Sequence, residues 1–265
     1  FDHHLHTMTI AGRSKGAIDR CEWEMEHGPT LSPLAMPDAD KLPEHVGTSM
    51  EDLKFTVQAQ RAKARIDAGD FETLVMTRTF ICPERSADPF DVYRALRVLS
   101  PSAYTYFMDF AETPFASGMV LAGTSQSTLI RTGDESAEES EAVPMDRIRE
   151  AFPSEAHVGK PRAKAAKVLR DLEGGPRVLY GGAIGFFRPD GHVDLAVGLE
   201  AVVFRQAEFQ VTAGAALNKE VAASDAAEMT REAAKIALCA IRSAHDAAVR
   251  RDEEKAAKAQ REAEA

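Results

Sequence analysis

The first six residues place three histidines and an aspartate where they could bind a metal ion. The two-residue period of a β-strand puts Asp2, His4 and His6 on one face of a strand predicted over residues 1–12. Neutral imidazoles with one carboxylate are borderline ligands that suit zinc or iron. The alternative is an ordinary strand that holds no metal.

A second group of chemically capable side chains lies around a helix predicted over residues 161–173. Its basic members are Lys160, Arg162, Lys164, Lys167 and Arg170. Cations near a helix start could hold an anion such as a carboxylate. The alternative is a solvated helix face that answers the acidic residues 134–141.

Other common catalytic designs find no support. The chain has no Gly-x-Ser-x-Gly elbow, and its three cysteines lack a motif that would lower a thiol pKa. Gly181-Gly182-x-x-Gly185 is not followed by the Lys-Ser/Thr of a phosphate loop. Serine-type catalysis and phosphate-loop nucleotide binding are therefore not predicted.

Local patterns predict the elements that must position these groups. A capping-box-like start at Ser49 and Asp52 opens a helix with an apolar face through Leu53, Val57 and Ile66, and Gly69 suits its end. The other predicted helices are 16–27, 89–99, 145–152, 161–173 and 225–249. The predicted strands after the first are 71–80, 103–110, 119–129, 183–187, 193–204 and 208–216.

This order predicts an α+β protein in which a mainly antiparallel sheet is layered with helices. We expect one domain, with an N-terminal half at residues 1–131 and a C-terminal half at 146–249. An acidic mobile loop, 132–145, separates the halves because its charge and serine content cannot pack. Residues 250–265 are expected to be a frayed, charged helical tail.

Several motifs together resemble those of the chorismate-utilising enzymes, above all anthranilate synthase component I. Tyr180-Gly181-Gly182-Ala183-Ile184-Gly185 is similar to the family's Tyr-Gly-Gly-Ala-Val-Gly, and residues 88–97 match the family almost letter for letter. The other matching segments, in family order, are 1–3, 66–70, 101–104, 151–153, 159–161, 171–173 and 213–215. The resemblance implies a reduced version of that fold. It also favours no metal at the early histidines, since Phe-Asp-His opens an ordinary strand in the family.

The resemblance implies changes at the positions that bind substrate and magnesium. Glu200 stands in register with an arginine that grips a substrate carboxylate in the family. The second pair of magnesium-binding glutamates falls on Ala226 and Met229, and Glu228 lies about 100° around the helix from that direction. The family's middle section, with its other magnesium helix, is missing between residues 125 and 151. We expect no metal and no cofactor, because magnesium needs near-octahedral oxygen coordination.

Candidate site residues follow from the resemblance. Glu200 and Glu228 are the predicted catalytic carboxylates, which could divide acid and base roles or hold a cation in the inherited cavity. The alternative is that Glu200 turns outward or pairs with Arg162 or Lys164. The predicted ligand-binding residues are Tyr180, Gly181, Gly182, Gly214, Arg162, Lys160 and Thr73. The glycines would leave room for a ligand, and Tyr180 would stack on it or simply pack in the core.

Composition bounds the partners. A formal net charge of -10 and a pI near 5.4 argue against nucleic acid, which needs clustered Lys and Arg. No apolar run approaches the roughly 18 residues of a membrane span. Three widely spaced cysteines suit reduced thiols in a cytoplasm. We expect a cytoplasmic protein with a small-molecule ligand, which forms a homodimer along the surface vacated by the missing section.

Two functions remain open. The first is an anthranilate synthase component I-like protein that has lost magnesium-dependent chorismate chemistry and acts on a different small aromatic or cyclic metabolite in a remodelled pocket. The second is a non-catalytic metabolite-binding or regulatory paralogue.

Overall fold

The structure is a computed structural model that describes residues 6–28, 31–110, 112–113, 118–132, 144–177, 179–188 and 192–264. Asp2, His3 and His4 of the candidate metal cluster lie outside these residues, as do residues 133–143 of the predicted acidic loop. The chain divides into two compact units, Phe1–Pro33 and Leu34–Ala265. The predicted division at residues 131, 145 and 249 stays a prediction.

The smaller unit contains the predicted first helix. Helix α1, Lys15–His27, begins after Ser14, whose hydroxyl accepts a hydrogen bond from the Ala17 amide at 3.3 Å. Residues 6–12 contain only an isolated bridge at Thr7 and are mostly exposed. The described part of the strand predicted over residues 1–12 is therefore not formed.

The larger unit alternates helices and strands. Its strands are β1 Gly47–Thr48, β2 Thr73–Cys82, β3 Tyr104–Asp109, β4 Val120–Ser125, β5 Thr128–Arg131, β6 Gly159–Lys160, β7 Gly182–Phe187, β8 Val193–Gly198, β9 Glu200–Arg205 and β10 Glu208–Leu217. Its helices are α2 Asp52–Asp67, α3 Pro89–Leu99, α4 Pro144–Ala151, α5 Glu155–Val158, α6 Arg162–Glu173, a 3-10 turn Ala223–Asp225 and α7 Ala226–Glu264.

Two antiparallel sheets organise the described strands. The larger sheet has the order β1-β2-β10-β9-β4-β3, with β6 also paired to β2. The smaller sheet has the order β5-β8-β7. The mainly antiparallel, helix-layered arrangement confirms the predicted fold class.

One face of the larger sheet packs against helices and is called the helix face below. From β2 it carries Leu74, Met76 and Phe80, which join clusters with residues of α2, α3, α6 and α7. The opposite face is called the inner face, because Tyr106 and Ala201 on it share a cluster with Ile184 and Ala196 of the smaller sheet. The alternation of side chains along each strand separates the two faces.

Helix α2 packs through a different face from the one predicted. Leu53 is 79% exposed and Val57 is 41% exposed, whereas Ala59 and Ala62 are fully buried. The capping box at Ser49 is also wrong: α2 begins after Glu51, and the Ser49 hydroxyl accepts from the Thr79 amide at 3.0 Å. Phe55 and Ile66 are fully buried as well, so of the three predicted face residues only Ile66 lies on the buried side of α2.

Two predicted strands are each divided between the sheets. The stretch 193–204 breaks at Leu199, which sends β8 into the smaller sheet and β9 into the larger one. The stretch 119–129 likewise breaks before Thr128, where β5 starts. Each break lets one continuous segment form part of both layers.

Helix α7 continues to Glu264, so residues 250–264 of the predicted tail are helical, and the fraying of this tail stays a prediction. Residues 252–263 are exposed, while the Arg251 guanidinium donates to Asp91 Oδ2 at 2.5 Å. None of the helices in the described part of the chain combines the length and hydropathy that a membrane crossing requires.

Candidate functional site

The Tyr180 side chain lies on the inner face, against β2 and β10. A methyl group added at Gly214 would lie 2.2 Å from Tyr180 Oη and 3.1 Å from Val75 Cγ1. The missing side chain of Gly214 therefore makes room for the tyrosine of the same chain. Burial raises the pKa of the Tyr180 phenol, so the hydroxyl stays protonated at neutral pH.

Leu179 fills a second space bordered by glycines. A methyl group added at Gly182 would lie 2.8 Å from the Leu179 carbonyl and 3.1 Å from its Cδ1. The same addition at Gly198 would lie 3.0 Å from Leu179 Cγ. Internal side chains thus occupy the room that these glycines provide.

An ion pair closes the edge of β2 beside Tyr180. Strand β2 pairs with β1 only at Phe80 and Ile81 and with β6 only at Thr73 and Leu74. Between these ladders, the Thr77 amide donates to Glu173 Oε1 at 2.7 Å and the Arg177 guanidinium donates to the Val75 carbonyl.

The two side chains of this pair also bind each other. Arg177 Nη2 donates to Glu173 Oε1 at 2.6 Å and Nε donates to Oε2 at 2.8 Å. The bidentate pair therefore supplies the hydrogen bonds that a neighbouring strand would make. The predictions named neither side chain as a site residue.

His157 is the other polar group beside Tyr180 that sequence reasoning missed. The two ring centroids are 6.3 Å apart in an edge-to-face arrangement, and a methyl group at Gly181 would lie 3.2 Å from His157 Cβ. Burial first, and then the Arg177 charge, lower the pKa of His157. His157 Nδ1 is buried and has no hydrogen-bond partner among the described residues. A neutral imidazole with a free nitrogen can exchange a proton with, or hydrogen-bond to, a nearby polar atom.

The predicted residues at the start of α6 are engaged within the protein. Thr73 and Lys160 are paired neighbours in the β2–β6 ladder, and Lys160 Nζ lies 2.8 Å from Glu72 Oε2. The Arg162 guanidinium donates to the Glu150 carbonyl. The structure therefore gathers Thr73 with Lys160 and Tyr180 with Gly214.

Glu200 lies on the other side of the sheet. Its partner in the β4–β9 ladder is Thr124, whose hydroxyl donates to Glu200 Oε2 at 2.9 Å, and the Ser100 hydroxyl donates to the same oxygen. Val202, two residues along β9, packs in the helix-face cluster. The strand period therefore directs Glu200 to the helix face, away from Tyr180. Neither Arg162 nor Lys164 is among its described partners.

Glu228 is placed apart from Glu200 at the start of α7. Its side chain is 65% exposed, and Oε2 accepts from Arg231 Nη1 at 2.9 Å. Below it, the buried Arg78 binds Asp52 Oδ1 at 2.6 Å, Thr230 Oγ1 at 2.8 Å and the Ala227 carbonyl at 2.8 Å. The structure gives the two predicted catalytic carboxylates separate sets of partners on different elements.

The positions that the resemblance assigns to magnesium-binding glutamates lack side-chain oxygen atoms. Ala226 is fully buried, and Met229 packs beside the cluster around α2 and α6, so neither offers an oxygen ligand. No group of three or more His, Cys, Asp or Glu side chains within the described ranges has the geometry to hold a metal. The described residues at these positions do not fit a magnesium ion.

Comparison with known families gives a match over most of the chain. A family model described as chorismate binding enzyme matches residues 1–138 and 136–237.

Curated relatives match most of this chain but only about half of their own length. Anthranilate synthase component 1 of Streptomyces coelicolor is 27% identical over 76% of this chain and 53% of that protein. The protein of that name in Bacillus subtilis is 23% identical over 68% of this chain and 49% of that protein. This chain thus spans about half the length of these relatives.

Solved structures share the fold. Anthranilate synthase component I from Streptococcus pneumoniae superposes with a TM-score of 0.71 at 21% identity, covering 89% of this chain and 71% of that one. The menaquinone-specific isochorismate synthase MenF of Escherichia coli gives 0.61 at 12% identity, covering 86% and 69%. The predicted reduced version of this fold is confirmed.

Proposed function

This chain belongs to the chorismate-binding enzyme family, and we propose that it has lost magnesium-dependent chorismate chemistry and acts on a different small aromatic or cyclic metabolite in a remodelled pocket. This chain covers only about half the length of the curated relatives named anthranilate synthase component 1. The activity of the shorter chain has to be argued from its own residues.

The environment of Glu200 is the observation that carries the proposal. A carboxylate stands in the register where the resemblance implies an arginine, and Ser100 and Thr124 already donate to it. A carboxylate repels a dianion, so the charge at this register opposes the substrate charge that an arginine there would attract. The inherited grip on a dicarboxylate substrate is therefore missing from the described residues.

The groups beside Tyr180 indicate which kind of guest a pocket there would suit. Tyr180 occupies the space beside Gly214, and Leu179 occupies the space beside Gly182. The polar groups nearby are the Tyr180 hydroxyl, the unpartnered His157 nitrogen and the Glu173–Arg177 pair, whose charges neutralise each other. A pocket that forms here would offer neutral hydrogen-bonding groups and aromatic faces, which suit an aromatic or cyclic guest.

The test is a binding and turnover measurement on the whole chain. Thermal unfolding would be followed with chorismate, anthranilate and tryptophan, each with and without Mg²⁺, and anthranilate fluorescence would be recorded with chorismate and ammonia. We expect no anthranilate and no magnesium-dependent shift with chorismate. A chorismate shift that requires Mg²⁺, or anthranilate formation above the protein-free rate, contradicts the proposal.

The role of Glu200 is tested by Glu200→Gln, with Glu232→Gln as the matched control. Glu232 is an exposed carboxylate on α7. A ligand-induced shift that disappears in the first variant and persists in the second supports a working site at Glu200. Equal shifts in both variants remove Glu200 from the site.

A non-catalytic, metabolite-binding or regulatory paralogue is the second candidate. The occupation of the glycine spaces by Tyr180 and Leu179 favours it, because a packed interior needs no substrate. A ligand that shifts the unfolding temperature but is recovered unchanged after prolonged incubation favours this candidate. Conversion of the ligand, followed by chromatography, favours the enzyme.

We propose, as the arrangement that suits this chain, a cytoplasmic homodimer that binds neither nucleic acid nor membrane. Edge strand β7 exposes Phe186 by 54% and Phe187 by 53%, which supports pairing with a second copy. Light scattering at micromolar concentration should give twice the 28.8 kDa mass of the chain. A monomeric mass contradicts the dimer.

A further inference from the structure

A cleft of about 570 Å³ opens on the outer side of the Glu173–Arg177 pair. This volume falls in the range of roughly 300–1,000 Å³ that is typical of small-molecule sites. The lining residues are Val158, Ala166, Leu169, Arg170, Glu173, Gly174, Gly175, Pro176 and Arg177. Arg170 is the member of the basic group singled out in the sequence that lies in this lining.

The charged residues of the cleft leave one cation uncompensated. Arg177 and Glu173 neutralise each other through two hydrogen bonds, at 2.6 and 2.8 Å. Arg170 is exposed and makes no ion pair with any residue that the structure describes. A single positive charge is therefore available at the rim.

The walls next to Arg170 are apolar and leave room for a ligand. Val158 and Leu169 form part of a packed core cluster, so the floor is fixed. A methyl group added at Gly174 or Gly175 would meet no atom within 4 Å, so the loop across the cleft leaves open space. An apolar body can lie on this floor while an acidic group reaches the guanidinium.

We infer that this cleft binds a small organic acid with an apolar, ring-sized body, and that Arg170 pairs with its carboxylate. Guanidinium groups bind carboxylates through paired, charge-assisted hydrogen bonds, which fixes the orientation of the acid. The apolar floor favours an aromatic or alicyclic acid over a purely ionic one. The inference does not rest on the proposed function, since the ligand is assigned to Arg170 and the apolar floor, while the Glu173–Arg177 pair that borders Tyr180 is neutralised within itself.

Benzoate is the probe and benzamide is its uncharged counterpart of the same shape. Both would be titrated into the isotopically labelled full chain, with the amide resonances of Ala166, Arg170 and Gly175 followed by NMR. We expect benzoate to shift these resonances with an affinity about three- to fivefold higher than that of benzamide, because Arg170 is solvent-exposed. Benzamide that binds as tightly as benzoate overturns the role of the charge.

Two variants on the same helix separate the local charge from a general positive field. Arg170→Gln should lower benzoate affinity to that of benzamide. Lys167→Gln, which removes an exposed cation outside the cleft lining, should leave it unchanged. Equal losses in both variants overturn the assignment to Arg170.

Gly175→Leu tests the location. Gly175 lines the cleft, lacks a positive φ and has open space around it, so a leucine there adds bulk to the lining without backbone strain. Benzoate shifts should vanish while the circular dichroism spectrum is retained. Benzoate binding that survives in this folded variant overturns the cleft as the site, and Arg170→Gln supplies an independent test should Gly175→Leu fail to fold.

Discussion

The contact between Tyr180 and Gly214 predicts a strong coupling between two substitutions. If the glycine exists to hold the tyrosine of the same chain, Gly214→Ala should destabilise the protein only while the tyrosine ring is present. If the glycine instead borders an open cavity, Gly214→Ala should cost the same with and without that ring. The comparison is a double-mutant cycle with Tyr180→Ala.

The distances between the added methyl group and the Tyr180 ring determine how much Gly214→Ala should destabilise the protein. The added methyl group would lie 2.6 Å from Tyr180 Cζ, about 0.8 Å short of the 3.4 Å at which ordinary contact begins. The ring cannot turn aside freely, because His157 and the Arg177 guanidinium flank it with separations of 6.3 and 5.9 Å. Overpacking of this kind costs roughly 1–3 kcal/mol, so we expect Gly214→Ala to lower the free energy of unfolding by about 2 kcal/mol.

Removal of the ring should remove most of this cost. In the Tyr180→Ala background the next contact is Val75 Cγ1 at 3.1 Å, which a small side-chain shift relieves. Gly214→Ala should then cost less than about 0.5 kcal/mol, which leaves a coupling energy of about 1.5 kcal/mol. Tyr180→Phe is the matched control, because it removes Oη but keeps the ring carbon at 2.6 Å.

Urea unfolding of the four proteins in the cycle, monitored by circular dichroism, measures these free energies. Gly214→Ala should keep most of its cost in the Tyr180→Phe background. Additive costs within about 0.3 kcal/mol would refute the reasoning, because they would show that the methyl group and the ring do not compete for space.

Three other groups give separate predictions. Burial, and then the Arg177 charge, lower the pKa of His157 from its ordinary value near 6.5, so the folded state binds the proton more weakly and loses stability as the pH falls below that value. His157→Gln should therefore flatten the decline in unfolding free energy between pH 7.5 and 5. An unchanged decline contradicts this. Arg78→Met should lower the unfolding free energy by about 3 kcal/mol in urea titrations, because it leaves buried hydrogen-bond partners unmatched, and a loss below 1 kcal/mol would contradict it. In a thiol assay at pH 8 the exposed Cys21 should react at once. Burial and the Glu84 charge raise the pKa of Cys82 to about 12, and Cys239 is also buried, so these two thiols should react only in urea. More than one fast-reacting thiol contradicts this.

The sequence predicted well those helices whose first or last residues favour a helix end. Asp88 caps α3 with a hydrogen bond from the Phe90 amide at 2.8 Å, and Pro89 fills the first turn. Gly69 takes a φ of +85° just after α2, as a left-handed helix stop requires. These features act within a few residues, so the sequence alone reveals them.

Features that depend on packing partners were not predictable in this way. Leu53 and Val57 have the spacing of a buried face, yet they are exposed, and the buried side of α2 is formed by Phe55, Ala59, Ala62 and Ile66. Gly198 precedes the break at Leu199, but a single glycine within a strand-like run does not predict a division, and the presence of two sheets makes β8 and β9 separate strands. Tertiary packing decides both outcomes.

The candidate site shows the same division. Sequence motifs indicated Tyr180 and Gly214 as site residues, and the structure places these two residues in contact. The face to which Glu200 points depends on the pairing of Glu200 with Thr124, which no local pattern encodes. His157 and Arg177 were missed because their importance comes from neighbours distant in the sequence.

The glycines of this site bear on how a family motif should be interpreted. A glycine that borders a substrate and a glycine that accommodates an internal side chain leave the same letter in the sequence. Here Gly123, Gly182 and Gly214 each face a side chain of the same chain, at distances where a methyl group would collide. Packing alone would therefore penalise their replacement, with or without a substrate. The presence of the motif therefore carries information about the fold. Evidence for catalysis has to come from groups that packing does not require. The unpartnered nitrogen of His157 is the clearest such group near Tyr180.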